Sequence, residues 1–171
     1  MKGDDGDCMA TTLKGTPVGD SVRVAIVVAT FNDFVTERLL AGALECTSQA
    51  GVAPDDVVVL RVPGSFEIPL AAQRAAETGR FDAIVCLGCL IRGATPHFEY
   101  ISQAVSLGLT AAAAATGVPM AFGVLTTNSA EEALERAQPG PTNKGWEAAQ
   151  AALEMASLLA QLDPETRGAR A

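Results

Sequence analysis

What most constrains this chain is the regular alternation of short β-branched runs with longer stretches whose apolar residues recur at helical spacing. Val22 to Ala29 reads VRVAIVVA, a run of strand length, and from Phe34 to Ala50 the residues Val35, Leu39, Ala43, Cys46 and Ala50 repeat with the period of a helix that Gly51 ends. Val57 to Val62 (VVVLRV) predicts a second strand closed by Pro63 and Gly64, and Ile68 to Thr78 a second helix closed by Gly79. A third strand is expected over Ala83 to Leu87, then a glycine-containing loop and a helix from Phe98 to Thr116. Gly117 and Pro119 separate that helix from a fourth strand, Met120 to Leu125. Ser129 with Glu132 forms a capping box for a short helix to Ala137, and an amphipathic helix follows from Lys144 to Gln161.

Strands that are apolar on both faces must be covered on both faces. Alternation with helices therefore predicts an α/β fold, a three-layer α/β/α sandwich around a four-stranded parallel sheet with right-handed crossovers. At 171 residues the chain suits one core, expected over residues 21–162. Residues 1–20 read as a flexible polar arm that can add a strand to a neighbouring subunit, and residues 163–171 as a frayed tail. Aromatics are only 5% of the chain, so small aliphatic side chains must build the core and let helices approach closely.

Twelve Lys and Arg stand against twenty Asp and Glu, a net charge of −8, and no basic run can track a phosphate backbone, so nucleic acid is not an expected partner. The start of the chain lacks the basic and apolar regions of a secretory signal, which predicts a cytoplasmic protein. Ala104 to Leu125 carries no charge, yet its threonines, glycines and Pro119 divide it into a buried helix and a buried strand rather than a membrane span. Cys86 and Cys89 have CxxC spacing, but a β-branched run leads straight into Cys86. Redox and zinc motifs need a helix start or four ligands, so both thiols are expected as small buried hydrophobes, with no metal and no cofactor.

In an open parallel sheet the ligand site lies beyond the carboxyl ends of the strands, and the unusual residues of this chain collect there. The first strand ends in Thr30, Phe31, Asn32 and Asp33; the second in Pro63 to Glu67; the third in Arg92 to His97; the fourth in Thr126, Thr127 and Asn128. RGAT before a helix offers small residues whose N–H groups can approach an anion, with Thr95 adding a hydroxyl; a plain cap with a glycine turn explains the string equally well. His97, the only histidine, stands beside it, and histidines ordinarily titrate near neutral pH, which suits a proton shuttle as well as a capping residue. Glu67 can accept hydrogen bonds from substrate hydroxyls or favour a helix N-terminus. Phe31 can stack on a flat ring or act as a staple, and Phe122 reads as core. Arg136 and Lys144 are isolated cations that either sit on a solvated face or complete an anionic site, in a neighbouring subunit if their own strand edge is too far away.

The strings FNDFVTERLLAGA, VPGSFEIPLAA, FDAIVCLGCLIRGATPHFEYI, TGVPMAFGVLTTN and ALERA with NKG downstream resemble the lumazine synthases of riboflavin biosynthesis, in the expected order from Phe31 through Gly145. The resemblance implies a flavodoxin-like fold and a transferase that joins 5-amino-6-(D-ribitylamino)uracil to 3,4-dihydroxy-2-butanone 4-phosphate without a cofactor. It further implies that Phe31, Ser65, Phe66, Glu67, Cys89, Leu90, Ile91, Phe122 and Lys144 contact the ribitylaminouracil, with Cys89, Leu90 and Ile91 acting largely through backbone. Ala94, Thr95 and Arg136 would hold phosphate, and His97 would shuttle protons. The family's active sites lie between subunits of a pentamer or sixty-subunit shell, with Phe122, Arg136 and Lys144 supplied across the interface, and riboflavin synthase is an expected partner. A non-catalytic lumazine or flavin binder is the alternative. Cys89 departs from the family's usual threonine, so some sensitivity to thiol modification is expected.

Overall fold

The computed structural model describes residues 10–162; residues 1–9 of the expected arm and the whole expected tail lie outside the described residues. Its elements in chain order are β1 (Val24–Ala29), α1 (Asp33–Gln49), β2 (Val57–Val62), α2 (Ile68–Glu77), β3 (Ala83–Ile91), α3 (His97–Thr116), β4 (Met120–Thr127), α4 (Ala130–Arg136) and α5 (Lys144–Leu162). Single 3-10 turns occupy Pro54–Asp56 and Ser65–Glu67. The strands pair in parallel in the order β2-β1-β3-β4, so the chain reverses its direction of travel across the sheet between β1 and β3. This is the expected flavodoxin-like α/β/α arrangement.

The two-faced apolar pattern of β1 finds its reason in the layers. Val24, Ile26 and Val28 pack in a core that includes Leu39 of α1 and Ala149 and Leu153 of α5. Ala25, Val27 and Ala29 point the other way, into a core with Ile68 and Ala72 of α2 and Val105 and Leu109 of α3. All six residues of β1 are fully buried. Two features of the sequence make the first layer tight. Gly145 lies directly on the backbone of Leu39, where a Cβ would come within 1.9 Å of the carbonyl oxygen, and Gly42 of α1 lies against the Asn143 side chain.

Three expectations are corrected. β3 continues past Leu87 to Ile91, because β4 runs on to Thr127 and supplies a partner for each added residue, from Gly88 opposite Val124 to Ile91 opposite Thr127. The helix expected to be buried, α3, buries only Val105, Leu109 and Ala112; its far side looks outward and Leu107 is 71% exposed, since a helix on an outer layer meets the sheet along one stripe. The arm expected to be flexible is laid against the domain from Lys14 to Gly19. Gln161 Nε2 donates to the Lys14 carbonyl at 3.0 Å, the Thr16 N–H donates to Ser157 Oγ at 3.2 Å, and the Gly19 N–H to the Ala50 carbonyl at 2.8 Å. Gly15 allows this approach, because a Cβ there would overlap the Glu154 carbonyl of α5. No helix among the described residues is long and apolar enough to cross a membrane.

Gly145→Ala should force α5 away from α1 and cost about 1–3 kcal/mol or more of stability, read as a lower midpoint in denaturant unfolding. Ala substituted at Gly93, where a Cβ would meet open space, should cost far less. Equal losses at the two positions would show that close packing at Gly145 is not what holds the layer.

Candidate active site

The crevice opens where β1 stops and β3 continues. The last residue of β1 paired to β3 is Val28, opposite Leu87, so Gly88 to Ile91 extend with β4 on one side and no strand on the other. The loop after β1 is fastened across this gap. Asn32 adopts the left-handed conformation (φ 60°, ψ 45°), which asparagine tolerates better than most residues, and its Nδ2 donates to the Cys89 carbonyl at 2.9 Å. The Thr30 and Phe31 N–H groups donate to the Val62 and Pro63 carbonyls at 2.8 and 3.0 Å, joining the same loop to the end of β2. Phe31 is thereby held with its ring 68% exposed above the sheet edge.

The turn after β2 faces it. Ser65 is buried and its hydroxyl lies where a Cβ on Gly88 would come within 2.6 Å, so a bare Gly88 is what lets this turn settle on β3. Phe66 and Glu67 project outward, Phe66 being 59% exposed and the Glu67 carboxylate curling over Gly64.

Segment 93–97 after β3 is tied at both ends through one residue the sequence reading left without a role, Arg92. Its N–H donates to the Thr127 carbonyl at 2.9 Å, its Nε donates to Asn128 Oδ1 at 3.2 Å, its Nη1 pairs with Glu99, and its guanidinium stacks 4.4 Å from the Phe98 ring centre. Ala94, Thr95 and His97 are carried between these ties and are exposed. Pro96 at the N-cap of α3 makes no side-chain bond to the first turn, and of that turn's N–H groups the one of Glu99 is taken by its own carboxylate. The Glu99 carboxyl is held below its usual 4.5 by a hydrogen bond from its own backbone and by Arg92, against the opposing effect of desolvation. A depressed carboxylate contributes its stabilisation above the unfolded value, so this clamp is intact at neutral pH and is lost only as pH falls through the lowered pKa.

Phe122, Arg136 and Lys144 lie elsewhere. Together with Glu147 they line a groove of about 400 Å³ between the outer edge of β4 and the start of α5, and none of Phe31, Ser65, Phe66, Glu67 or His97 lines it. Phe122, expected as core, is 48% exposed, because its strand is the sheet's edge and no element among the described residues covers that side. Lys144 Nζ donates to Glu147 Oε2 at 2.6 Å, and Arg136 Nη1 to the Glu132 carbonyl at 2.9 Å. One chain therefore holds its candidate residues in two separate clusters. The ten candidates Phe31, Ser65, Phe66, Glu67, Cys89, Leu90, Ile91, Ala94, Thr95 and His97 belong to the ends of β1, β2 and β3; Phe122, Arg136 and Lys144 belong to the groove beyond β4.

The cysteines behave as the sequence suggests in one respect and not in another. Cys86 packs in the core under α2 and α3 and Cys89 in the core under α1 and α5, so the CxxC pair points to opposite faces of the sheet and cannot close a disulfide without rebuilding the strand. Burial pushes the Cys89 thiol up to about 11 and raises that of Cys86 further. The expected sensitivity of Cys89 to thiol reagents is corrected accordingly: only its backbone carbonyl reaches the crevice side, where Asn32 holds it.

From the sequence, Asn32 and Arg92 are placed at the strand ends without a role, and Asn143 and Glu147 are given none. The Lys144 to Glu147 spacing could have revealed a helical i,i+3 pair and Asn143 before a helix a cap, but the bonds of Asn32 to Cys89, Arg92 to Asn128 and Asn143 to Arg38 join residues far apart in the chain.

A flavodoxin-like sheet with polar and aromatic loops gathered at its carboxyl edge, and a cationic groove beside it, defines a small-molecule enzyme of the doubly wound α/β class. Residues 21–160 match the 6,7-dimethyl-8-ribityllumazine synthase family, and the chain belongs to that family, whose members are transferases of riboflavin biosynthesis. A protein of Syntrophus aciditrophicus (strain SB) that bears the family's name is 50% identical over 154 residues, covering 90% of this chain and 100% of its own. One of Desulfatibacillum aliphaticivorans, with the same name, is 44% identical over 153 residues, covering 90% of this chain and 99% of its own.

Peptides carrying Cys46, Cys86 and Cys89 should take up a thiol reagent at pH 8 only after denaturation, as peptide mass spectrometry would read. Labelling of Cys89 in the folded protein within minutes would contradict its burial.

Proposed function

We propose that this chain condenses 5-amino-6-(D-ribitylamino)uracil with 3,4-dihydroxy-2-butanone 4-phosphate to 6,7-dimethyl-8-ribityllumazine, releasing phosphate and water, in the cytoplasm. The observation that carries the reading is the division of the candidate residues into two half-sites, each incomplete alone. The crevice has ring, hydroxyl and anion-binding groups but no unpaired cation, and the groove has the cations and Phe122. A neighbouring copy that sets its groove against this crevice completes the set, and a closed ring such as a pentamer, or a sixty-subunit shell built from pentamers, repeats that contact. Riboflavin synthase, which consumes the product, is the expected protein partner.

In this arrangement the pyrimidinedione stacks on Phe31 and is flanked by Phe122 and Lys144 of the neighbouring copy. The backbone of Cys89 to Ile91 on the side that no strand covers, with Ser65 and Phe66, matches its amide edges, and Glu67 accepts from ribityl hydroxyls. Phosphate lies on the N–H groups of Ala94 and Thr95 in the loop just before α3, with the neighbouring copy's Arg136 as counter-charge. The 5-amino group attacks the ketone carbon and water leaves as the imine forms. A proton is then lost from the carbon next to the one that bears phosphate, the C–O bond to phosphate breaks, and an enol results. The enol gains a proton to become a ketone, and the ribityl-bearing nitrogen closes the second ring with loss of a further water. His97 beside the phosphate moves these protons. Holding two reactants together supplies more of the acceleration than a single proton shuttle, which contributes roughly 10² to 10⁴ at most.

The test mixes purified protein with both substrates and follows lumazine absorbance and phosphate release. His97→Ala should lower kcat by roughly 10- to 100-fold, and Arg136→Ala should lower kcat/KM for the phosphorylated substrate by about a hundredfold or more. No product above background with the unaltered protein, or equal and complete losses in both variants, would reject the assignment.

A further inference from the structure

Asn143 is 1% exposed, the most buried amide side chain of the described residues, and it stands immediately before Lys144. Its Oδ1 accepts from the Gly145 N–H at 2.8 Å and the Trp146 N–H at 3.3 Å, which caps the start of α5. Its Nδ2 donates in the other direction, to the Arg38 carbonyl of α1 at 3.1 Å, across 105 residues of sequence. A serine or aspartate caps a helix as well as asparagine does, so capping alone does not call for this side chain. A serine hydroxyl must donate and accept through one atom close to its own backbone, and an aspartate only accepts; the amide accepts with Oδ1 from α5 and donates with Nδ2 to α1.

The neighbours point the same way. Gly42 leaves room for the amide, since a Cβ there would fall 2.5 Å from Asn143 Cγ and Oδ1, and Gly145 sits on the Leu39 carbonyl. Lys144 thus lies between two residues that are each locked to α1, and its backbone has no freedom to slide along the groove. Its ammonium then reaches Glu147 Oε2 at 2.6 Å.

We propose that Asn143 is a positioning residue that acts through Lys144: it fixes where the lysine enters the groove, and so where its ammonium meets the substrate. The proposal rests on the reading of Lys144 as a substrate contact. Asn143→Ser keeps an acceptor for the helix N–H groups and removes the reach to Arg38, while Gly42→Ala displaces the amide from the α1 side with no substitution in α5.

The test is a double-mutant cycle on the intact assembly, with Asn143→Ser and Gly42→Ala each made with and without Lys144→Ala. The emission of Trp146, the only tryptophan, and thermal unfolding serve as controls for folding. Acting through the lysine, Asn143→Ser should lower kcat/KM about tenfold when Lys144 is present and less than about twofold when it is absent. The same loss in both backgrounds, or none in either, would overturn the proposal. An independent readout is acylation of Lys144 relative to Lys14 in the same sample, by peptide mass spectrometry, which should change severalfold in Asn143→Ser. If the unaltered protein makes no lumazine, the assigned reaction fails by itself, and an unchanged acylation ratio then overturns the positioning role separately.

Discussion

Much of this structure follows from a difference in strand length. β1 lies in the middle of the sheet with both faces covered, and it stops at Ala29; β3 beside it continues to Ile91 because β4 accompanies it. The uncovered backbone beyond Leu87 is a row of hydrogen-bonding groups that no strand satisfies on one side, and buried peptide groups do not stay unpaired at small cost. Asn32 takes one of them, the Cys89 carbonyl, and the loop after β1 is joined in turn to the end of β2. Crevice, loop anchoring and the exposure of Phe31 share that origin.

The electrostatics are local rather than global. A chain of net charge −8 repels anions at long range, so attraction for the proposed phosphorylated substrate must come from groups at the site, within about a Debye length of roughly 8–10 Å. The N-terminal N–H groups of α3 lie at the crevice, but the nearest cation there, Arg92, is engaged with Glu99 and Asn128. Lys144 is paired with Glu147, and Arg136 is folded back onto its own helix. These side chains are ordered before any ligand arrives, at the expense of charge on offer, and a ligand that draws Arg136 from a neutral carbonyl gives up less than one that must break an ion pair.

How far the sequence could be read depended on the range of the interaction. Strand and helix positions rest on periodicity within a few turns, and β2 was legible to the residue. The end of β3 was not, because continuing past Leu87 depends on partners in β4 some forty residues on. The RGATPH string announced an exposed, polar loop, but not that Arg92 pins it from Thr127, Asn128 and Glu99. Phe122 read as core because its neighbours in the sequence are apolar; only the strand order, with β4 at the edge, turns its ring outward.

The sequence by itself determined the α/β class and the parallel sheet, since both follow from local spacing and residue type, and it offered the candidate side chains, several of them through the family resemblance alone. Tertiary structure decided the strand order, the length of β3, the docking of residues 14–19 on α5 and the separation of Phe122, Arg136 and Lys144 from the crevice. It also decided that Cys89 is shielded and that Asn143 is the joint between α1 and α5. These depend on which distant surfaces meet, and that is set by burying two opposite faces of one sheet at once, a condition no single segment contains.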